Sequence, residues 1–239
     1  MTGQIADPAD AVFMLAMVRE HSGAYEQIGY ATAFFVSADG VALTNSHVVY
    51  AALRDPEHHQ LLAVVDKEFY SVEIVCASRL TYDPIKSNEA PINPGRDVAE
   101  IRVVPAKLPI DSLPYRVNVK EVLINPTAHR GSLPPFPFLT RTIKGHPQAG
   151  SHVRAIGYGR VSSFPRKWTA QGLIREFWIA DDGTETFDLE FSNPAQPGNS
   201  GSPVLDDHQQ LIGILTWVSP DHSNLASAQS NDVLRRPCP

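Results

Sequence analysis

With 239 residues, 43% of them hydrophobic, the chain is long enough for one large or two small domains and has the apolar content of a folded globular protein. Its 26 acidic residues against 20 basic ones leave a net charge of −6, and no run of like charge is long enough for a polyanion-binding tail, so nucleic acid is not an expected partner. In chain order, the apolar run Ala11 to Val18 reads as a buried strand or a short helix, between which periodicity does not choose. Gly29 to Val36 and Val41 to Thr44 flank Ser37-Ala38-Asp39-Gly40, whose Asp-Gly pair signals a hairpin. Leu61 to Val65 and Tyr70 to Ala77 read as strands, and Arg79 to Arg96, with three prolines, as a long loop. From Pro105 to Pro147 prolines recur densely enough to exclude helices and central strands over much of the stretch. Strands are expected again at His152 to Gly157, Leu173 to Ala180, Thr186 to Phe191, Pro203 to Leu205, Leu211 to Val218 and Leu225 to Ala228, with Asp181-Asp182-Gly183 and Asp206-Asp207-His208 as turns. Ser230-Asn231-Asp232 is placed to cap a terminal helix starting at Val233-Leu234.

Three stretches carry chemistry. In Pro197-Gly198-Asn199-Ser200-Gly201-Ser202-Pro203-Val204 two glycines bracket a serine ahead of a β-prone run. A serine hydroxyl is a weak nucleophile at neutral pH and needs a base within reach and donors for the oxyanion it creates. Gly198 allows its own N–H and that of Ser200 to point one way, and Gly201 is expected to leave room for a substrate backbone. The second stretch, Ala42-Leu43-Thr44-Asn45-Ser46-His47-Val48-Val49, puts His47 at the end of a strand-like run, where an imidazole serves as base and then acid. The third, Asp97-Val98-Ala99-Glu100-Ile101-Arg102-Val103, sets Asp97 at the head of an alternating strand, from which it orients that imidazole. A glycine-rich turn before a strand would explain the first stretch alone; the other two supply the partners it lacks.

These motifs, with Ala33-Phe34-Phe35-Val36-Ser37-Ala38-Asp39-Gly40 before the histidine and Gly213-Ile214-Leu215-Thr216-Trp217 after the serine, resemble those of the trypsin/chymotrypsin-like serine peptidases. The order His, Asp, Ser is that of chymotrypsin-like barrels, whereas α/β-hydrolases run Ser, acid, His. The chain is most similar to the bacterial type that includes HtrA proteases and glutamyl endopeptidases. The resemblance spans roughly Phe34 to Val233. It implies an all-β fold of two antiparallel six-stranded barrels with the site in the cleft between them: residues 1–104 as the first barrel, 105–147 as the crossing segment, 148–239 as the second barrel with a short helix. It further implies a strand at Ala11 to Val18, a helical turn at Val48 to Leu53, and no room for a PDZ domain. Ser132 to Thr140 reads as an exposed insertion near the cleft or a solvated spacer.

Carried onto this chain, the resemblance makes His47, Asp97 and Ser200 the triad and the N–H groups of Gly198 and Ser200 the oxyanion hole. It puts the pocket for the residue before the scissile bond near Pro194 and Ala195, walled by Thr216, Trp217 and Val218. None of these is charged, and Leu215 stands where glutamate-specific relatives have histidine, so a small or medium apolar residue is expected there. Asn199 replaces the aspartate that, in animal relatives, pairs with a new N-terminus after zymogen cleavage; that activation route is not expected. The expected partner is a protein or peptide substrate. The rival reading is a protease-like binding or scaffold module with a silent site; such modules usually lose a triad residue, and this chain has all three.

Two cysteines, Cys76 and Cys238, are too few for a disulfide framework. A bridge between them stays open, although the apolar context Ile74-Val75-Cys76-Ala77 favours a buried thiol. The N-terminus carries Asp7 and Asp10 where a secretory signal has basic residues, and Ala11 to Val18 is too short to cross a bilayer, so a soluble cytoplasmic protein without a membrane partner is expected. His58-His59 on a polar loop is a weak metal signal and Gly157-Tyr158-Gly159 lacks the rest of a dinucleotide loop, so neither metal nor cofactor is expected. Trp168 and Trp178 read as packing residues.

Overall fold

A computed structural model describes residues 7–84, 95–113, 116–119, 122–141, 147–160, 164–219 and 224–237. The chain begins with β1 (Val12–His21), β2 (Ala24–Phe35) and β3 (Val41–Thr44), then α1 (Ser46–Arg54), β4 (His59–Val65), β5 (Glu68–Ala77) and β6 (Ala99–Val104). These six strands run in the order β4-β1-β2-β3-β6-β5, all antiparallel, and β4 pairing with β5 closes the ring. Short strands β7 (Val117–Val119), β8 (Val122–Ile124) and β9 (Thr127–Ala128) follow. The second barrel comprises β10 (His152–Arg160), β11 (Pro165–Ile179), β12 (Glu185–Phe191), β13 (Pro203–Asp206), β14 (Leu211–Val218) and β15 (Leu225–Ser230), and the chain continues into α2 (Asn231–Arg235). Their order is β10-β13-β14-β15-β12-β11, closed by β10 pairing with β11. Two closed six-stranded antiparallel barrels, as expected, leave no unpaired edge in either ring.

β1 explains why periodicity was silent over Ala11 to Val18. Phe13 and Leu15 face the interior of the first barrel, while Val12, Met14, Ala16 and Val18 face a second core shared with Ile156, Tyr158, Leu205 and Leu211 of the other barrel. A strand buried on both faces shows a continuous apolar run instead of alternation. That shared core cements the barrels side by side; a third cluster around Phe187, Leu189, Phe191 and Leu215 fills the second barrel. β11 starts eight residues before the expected Leu173, because its first half alternates Trp168 and Ala170 inward with Lys167 and Thr169 outward. At the C-terminal end the Ser230 side chain accepts from the Asp232 N–H, the cap the sequence implied.

Two expectations need correction. Ser132 to Thr140 is neither a cleft insertion nor a solvated spacer but a strap on the first barrel. The Phe136 ring stacks on Phe35 at 4.2 Å between centroids, and the Phe136 and Leu139 N–H groups donate to the Ala38 and Phe35 carbonyls. Burial of these two apolar side chains holds down a segment that proline keeps out of regular structure. Cys76 is not a buried free thiol: it is half-buried on β5 and disulfide-bonded. Cys238 lies outside the described residues, as does much of the Arg79 to Arg96 loop. No described helix is long and apolar enough to cross a membrane.

Candidate active site

His47 is the second residue of α1, three residues past the end of β3, and not at the strand end the sequence suggested. β3 pairs with β6, which brings the start of α1 alongside Asp97, two residues before β6 begins. The Asp97 carboxylate engages the histidine twice: Oδ1 accepts the His47 backbone N–H at 2.9 Å and Oδ2 lies 2.7 Å from Nδ1. Asp97 is fully buried, so this pairing operates where water screens little. Its backbone is held from both barrels: the Asp97 N–H donates to Gln229 Oε1 of β15 (2.9 Å), and Asn45 Nδ2, from the first barrel, donates to the Asp97 carbonyl (2.8 Å) and to Thr216 Oγ1 of β14 (3.1 Å).

Ser200 arrives from the second barrel. Gly198 and Gly201 have φ of +100° and +88°, torsions that side chains rarely adopt. A methyl at Gly198 would overlap the Tyr30 ring, and one at Gly201 would overlap the Thr32 carbonyl oxygen. Gly201 is therefore required by contact with the first barrel, not by the substrate clearance the sequence suggested. The Thr32 N–H donates to the Ser200 carbonyl (2.9 Å) and Thr32 Oγ1 to the Gly198 carbonyl (2.8 Å), so β2 grips the loop directly. Asn199, fully buried, braces it from within: its Oδ1 accepts the Gln196 N–H at 2.6 Å while its own N–H donates to the Gln196 carbonyl at 3.0 Å. A neutral amide thus holds the loop without the new N-terminal ammonium group that zymogen activation supplies. Among the described residues neither the Gly198 nor the Ser200 N–H donates to another group.

His47, Gly198 and Ser200 line one cavity of about 170 Å³. Ser200 Oγ donates to the Thr216 carbonyl at 3.4 Å and is not hydrogen-bonded to His47, so delivering its proton to the ring requires it to leave that carbonyl. The trypsin-like peptidase domain matches residues 31–214, a span that holds His47, Asp97, Gly198 and Ser200. The chain belongs to the trypsin-like peptidase family.

Its solved neighbours are of the same kind. The active form of the Rv3671c protease from M. tuberculosis superposes with a TM-score of 0.58 at 16% identity, covering 96% of this chain and 80% of that one. An inactive mutant form of Rv3671c from M. tuberculosis H37Rv gives 0.57 at 16% identity, with 95% and 84% covered. A variant of the HtrA-type protease AlgW with a tripeptide gives 0.61 at 18% identity; 95% of this chain is covered but only 58% of AlgW. At these identities the likeness is one of fold. No curated protein sequence matches the chain significantly.

The expected pocket residues fall in different places. Thr216 turns its side chain away from the cleft, donating to the Ile214 carbonyl and accepting from Asn45; only its carbonyl meets Ser200. Ala195 is packed with Trp168 and Phe191 in the second-barrel core, and the exposed Pro194 gives its carbonyl to Trp168 Nε1 at 3.1 Å. Trp217 and Val218 line a groove of about 380 Å³ that also contains Arg175, Glu176 and Asp188, charged groups the sequence reading did not place there. Asp188 Oδ1 accepts from Ser227 Oγ (2.6 Å) and Trp178 Nε1 (3.2 Å).

Tyr82 is the residue that the sequence reading missed. Its hydroxyl donates to Asp97 Oδ2 at 3.3 Å, the oxygen that holds the imidazole, and the Trp217 indole N–H lies beside it without reaching hydrogen-bond geometry. Burial first, and the Asp97 charge second, push the phenol well above the ordinary tyrosine range, so it stays a donor. The neighbouring Asp83 is paired with Arg54 of α1 at 3.3 Å, which ties the Tyr82 segment to the helix bearing His47. A tyrosine in a proline-rich loop offers no sequence signal for this placement.

Proposed function

We propose that this trypsin-like serine protease cleaves peptide bonds with Ser200 as nucleophile, His47 as general base and then acid, and Asp97 as the group that fixes the imidazole. The paired hydrogen bonds from His47 to the buried Asp97 carry this reading: they hold Nδ1 protonated, so that Nε2 is left with a lone pair toward the cavity that Ser200 also lines. Attack on the substrate carbonyl makes a tetrahedral oxyanion, received by the free N–H groups of Gly198 and Ser200, each worth roughly 3–4 kcal/mol in the transition state. His47 then protonates the leaving amine, and water resolves the acyl-enzyme by the same steps. The residue before the scissile bond is small or medium and apolar, a preference that rests on the family resemblance and on the commitment of charged groups beside Trp217 and Val218 to their neighbours, Asp188 to Ser227 and Trp178 and Arg175 to Glu190.

An intact triad with a braced oxyanion loop argues against a silent binding module. Turnover of a peptide library by the parent and by Ser200→Ala tests both parts: the variant loses nearly all hydrolysis, and cleavage by the parent follows Ala, Val or Leu. Equal rates from the variant remove the nucleophile assignment, and cleavage after Arg, Lys or Glu removes the pocket assignment.

A further inference from the structure

We infer that the enzyme also selects the residue after the scissile bond, through an apolar subsite that takes a leucine- or phenylalanine-sized side chain of the leaving group. This rests on the triad reading above. The cavity of about 170 Å³ that opens beside Ser200 has His47, Gly198 and Ser200 on one side, and on the other an apolar wall of Leu15 and Met17 from β1, Leu61 from β4 and Val48 from α1. Its surface is mostly apolar, and its volume is close to that of a cavity able to take a benzene ring, about 150 Å³.

Mechanism fixes which half of the substrate reaches it. The leaving amine takes its proton from His47, so that half must lie against the imidazole, and the imidazole flanks the cavity. The specificity strand Thr216–Val218 belongs to the other barrel and contributes no residue to the cavity lining. The acyl half on that strand and the amine half in this cavity therefore diverge from Ser200 to opposite sides. Gly29 makes the room. It sits across the strand pair from Met17, and a side chain added there would meet only the Met17 Cβ, at 3.9 Å, on its way into the cavity.

Acyl transfer isolates this subsite. An activated ester of an N-acylated apolar amino acid acylates Ser200 and releases its alcohol. A free amino-acid amide in the leaving-group site then attacks the acyl carbon: the Ser200 ester bond breaks, an amide bond forms, and the proton lost by the amine passes through His47 back to Ser200 Oγ. Water competes, so the ratio of aminolysis to hydrolysis reports occupancy by each amide, and a ratio taken within one preparation cancels any loss of folded enzyme. Leucinamide and phenylalaninamide are expected to exceed glycinamide and aspartic acid amide by about tenfold or more. Gly29→Val, which narrows the cavity, is expected to abolish that preference, and Met17→Glu to shift it toward argininamide. Equal partitioning among the amides, or an apolar preference unchanged in both variants, overturns the inference while leaving the triad standing. An ester that never acylates the folded protein overturns the triad and the inference together.

Discussion

Asp97→Asn keeps the shape of a fully buried side chain and removes its charge. In the proposed mechanism the imidazole becomes an imidazolium whose Nδ1 lies 2.7 Å from the carboxylate oxygen. For charge centres about 4 Å apart at an effective dielectric of about 20, the attraction is about 4 kcal/mol. That corresponds to about three orders of magnitude in rate. A second loss adds to it: an amide nitrogen at the Oδ2 position donates to Nδ1 and leaves the hydrogen on Nε2, the tautomer unable to accept from Ser200. In trypsin-like enzymes the combined effect is on the order of 10⁴ in kcat. The fold is expected to survive, because the amide oxygen still accepts the His47 N–H and the Asp97 backbone bonds to Gln229 and Asn45 involve no charge. The assay is kcat/KM on a fluorogenic peptide with the thermal midpoint as control. A folded Asn variant within tenfold of the parent would refute the role given to Asp97.

Tyr82→Phe removes a donor that draws charge from Asp97 Oδ2, so the acid limb of the kcat/KM profile moves to higher pH with an activity loss below about tenfold; movement to lower pH contradicts the placement. Gly201→Ala forces a methyl onto the Thr32 carbonyl at a left-handed φ and is expected to destabilise the fold by about 3 kcal/mol or more, measured by urea unfolding; an unchanged midpoint contradicts the packing. The Ser132 carbonyl and then the Glu68 carboxylate hold His129 above the ordinary histidine range. A raised folded value means that its stabilisation is complete below the unfolded value of about 6.5 and disappears as pH rises through the folded one. His129→Gln should therefore flatten the pH dependence of the thermal midpoint above pH 6.5, and an unaltered slope refutes the coupling.

Most of the barrel strands were legible as short apolar, β-prone runs bounded by turn residues, among them the Asp-Gly and Asp-Asp-Gly turns, and not by alternation, since β4, β10 and β14 bury successive residues. β1 stayed ambiguous because a continuous apolar run suits a buried helix as well as a strand, and the first half of β11, although it alternates, was passed over for its polar outer residues. His47, Asp97 and Ser200 were legible because each sits in a short motif whose neighbours are needed locally. What stayed hidden depends on register between distant segments. Tyr82 reaches Asp97 from a loop, Thr216 turns inward to meet Asn45, and the Phe136 strap is held by ring contacts with Phe35 and Tyr70 and by backbone hydrogen bonds to Ala38 and Phe35. The wall of Leu15, Met17 and Leu61 exists only because β1 pairs with β4 in the register that sets Met17 opposite Leu61.

The most direct check on the proposed chemistry is covalent labelling of the parent by a fluorophosphonate, read by intact mass and peptide mapping. A single adduct on Ser200, absent from Ser200→Ala and strongly slowed in His47→Ala, is the expected result. Folded protein that takes no label, or takes it on another residue, contradicts it.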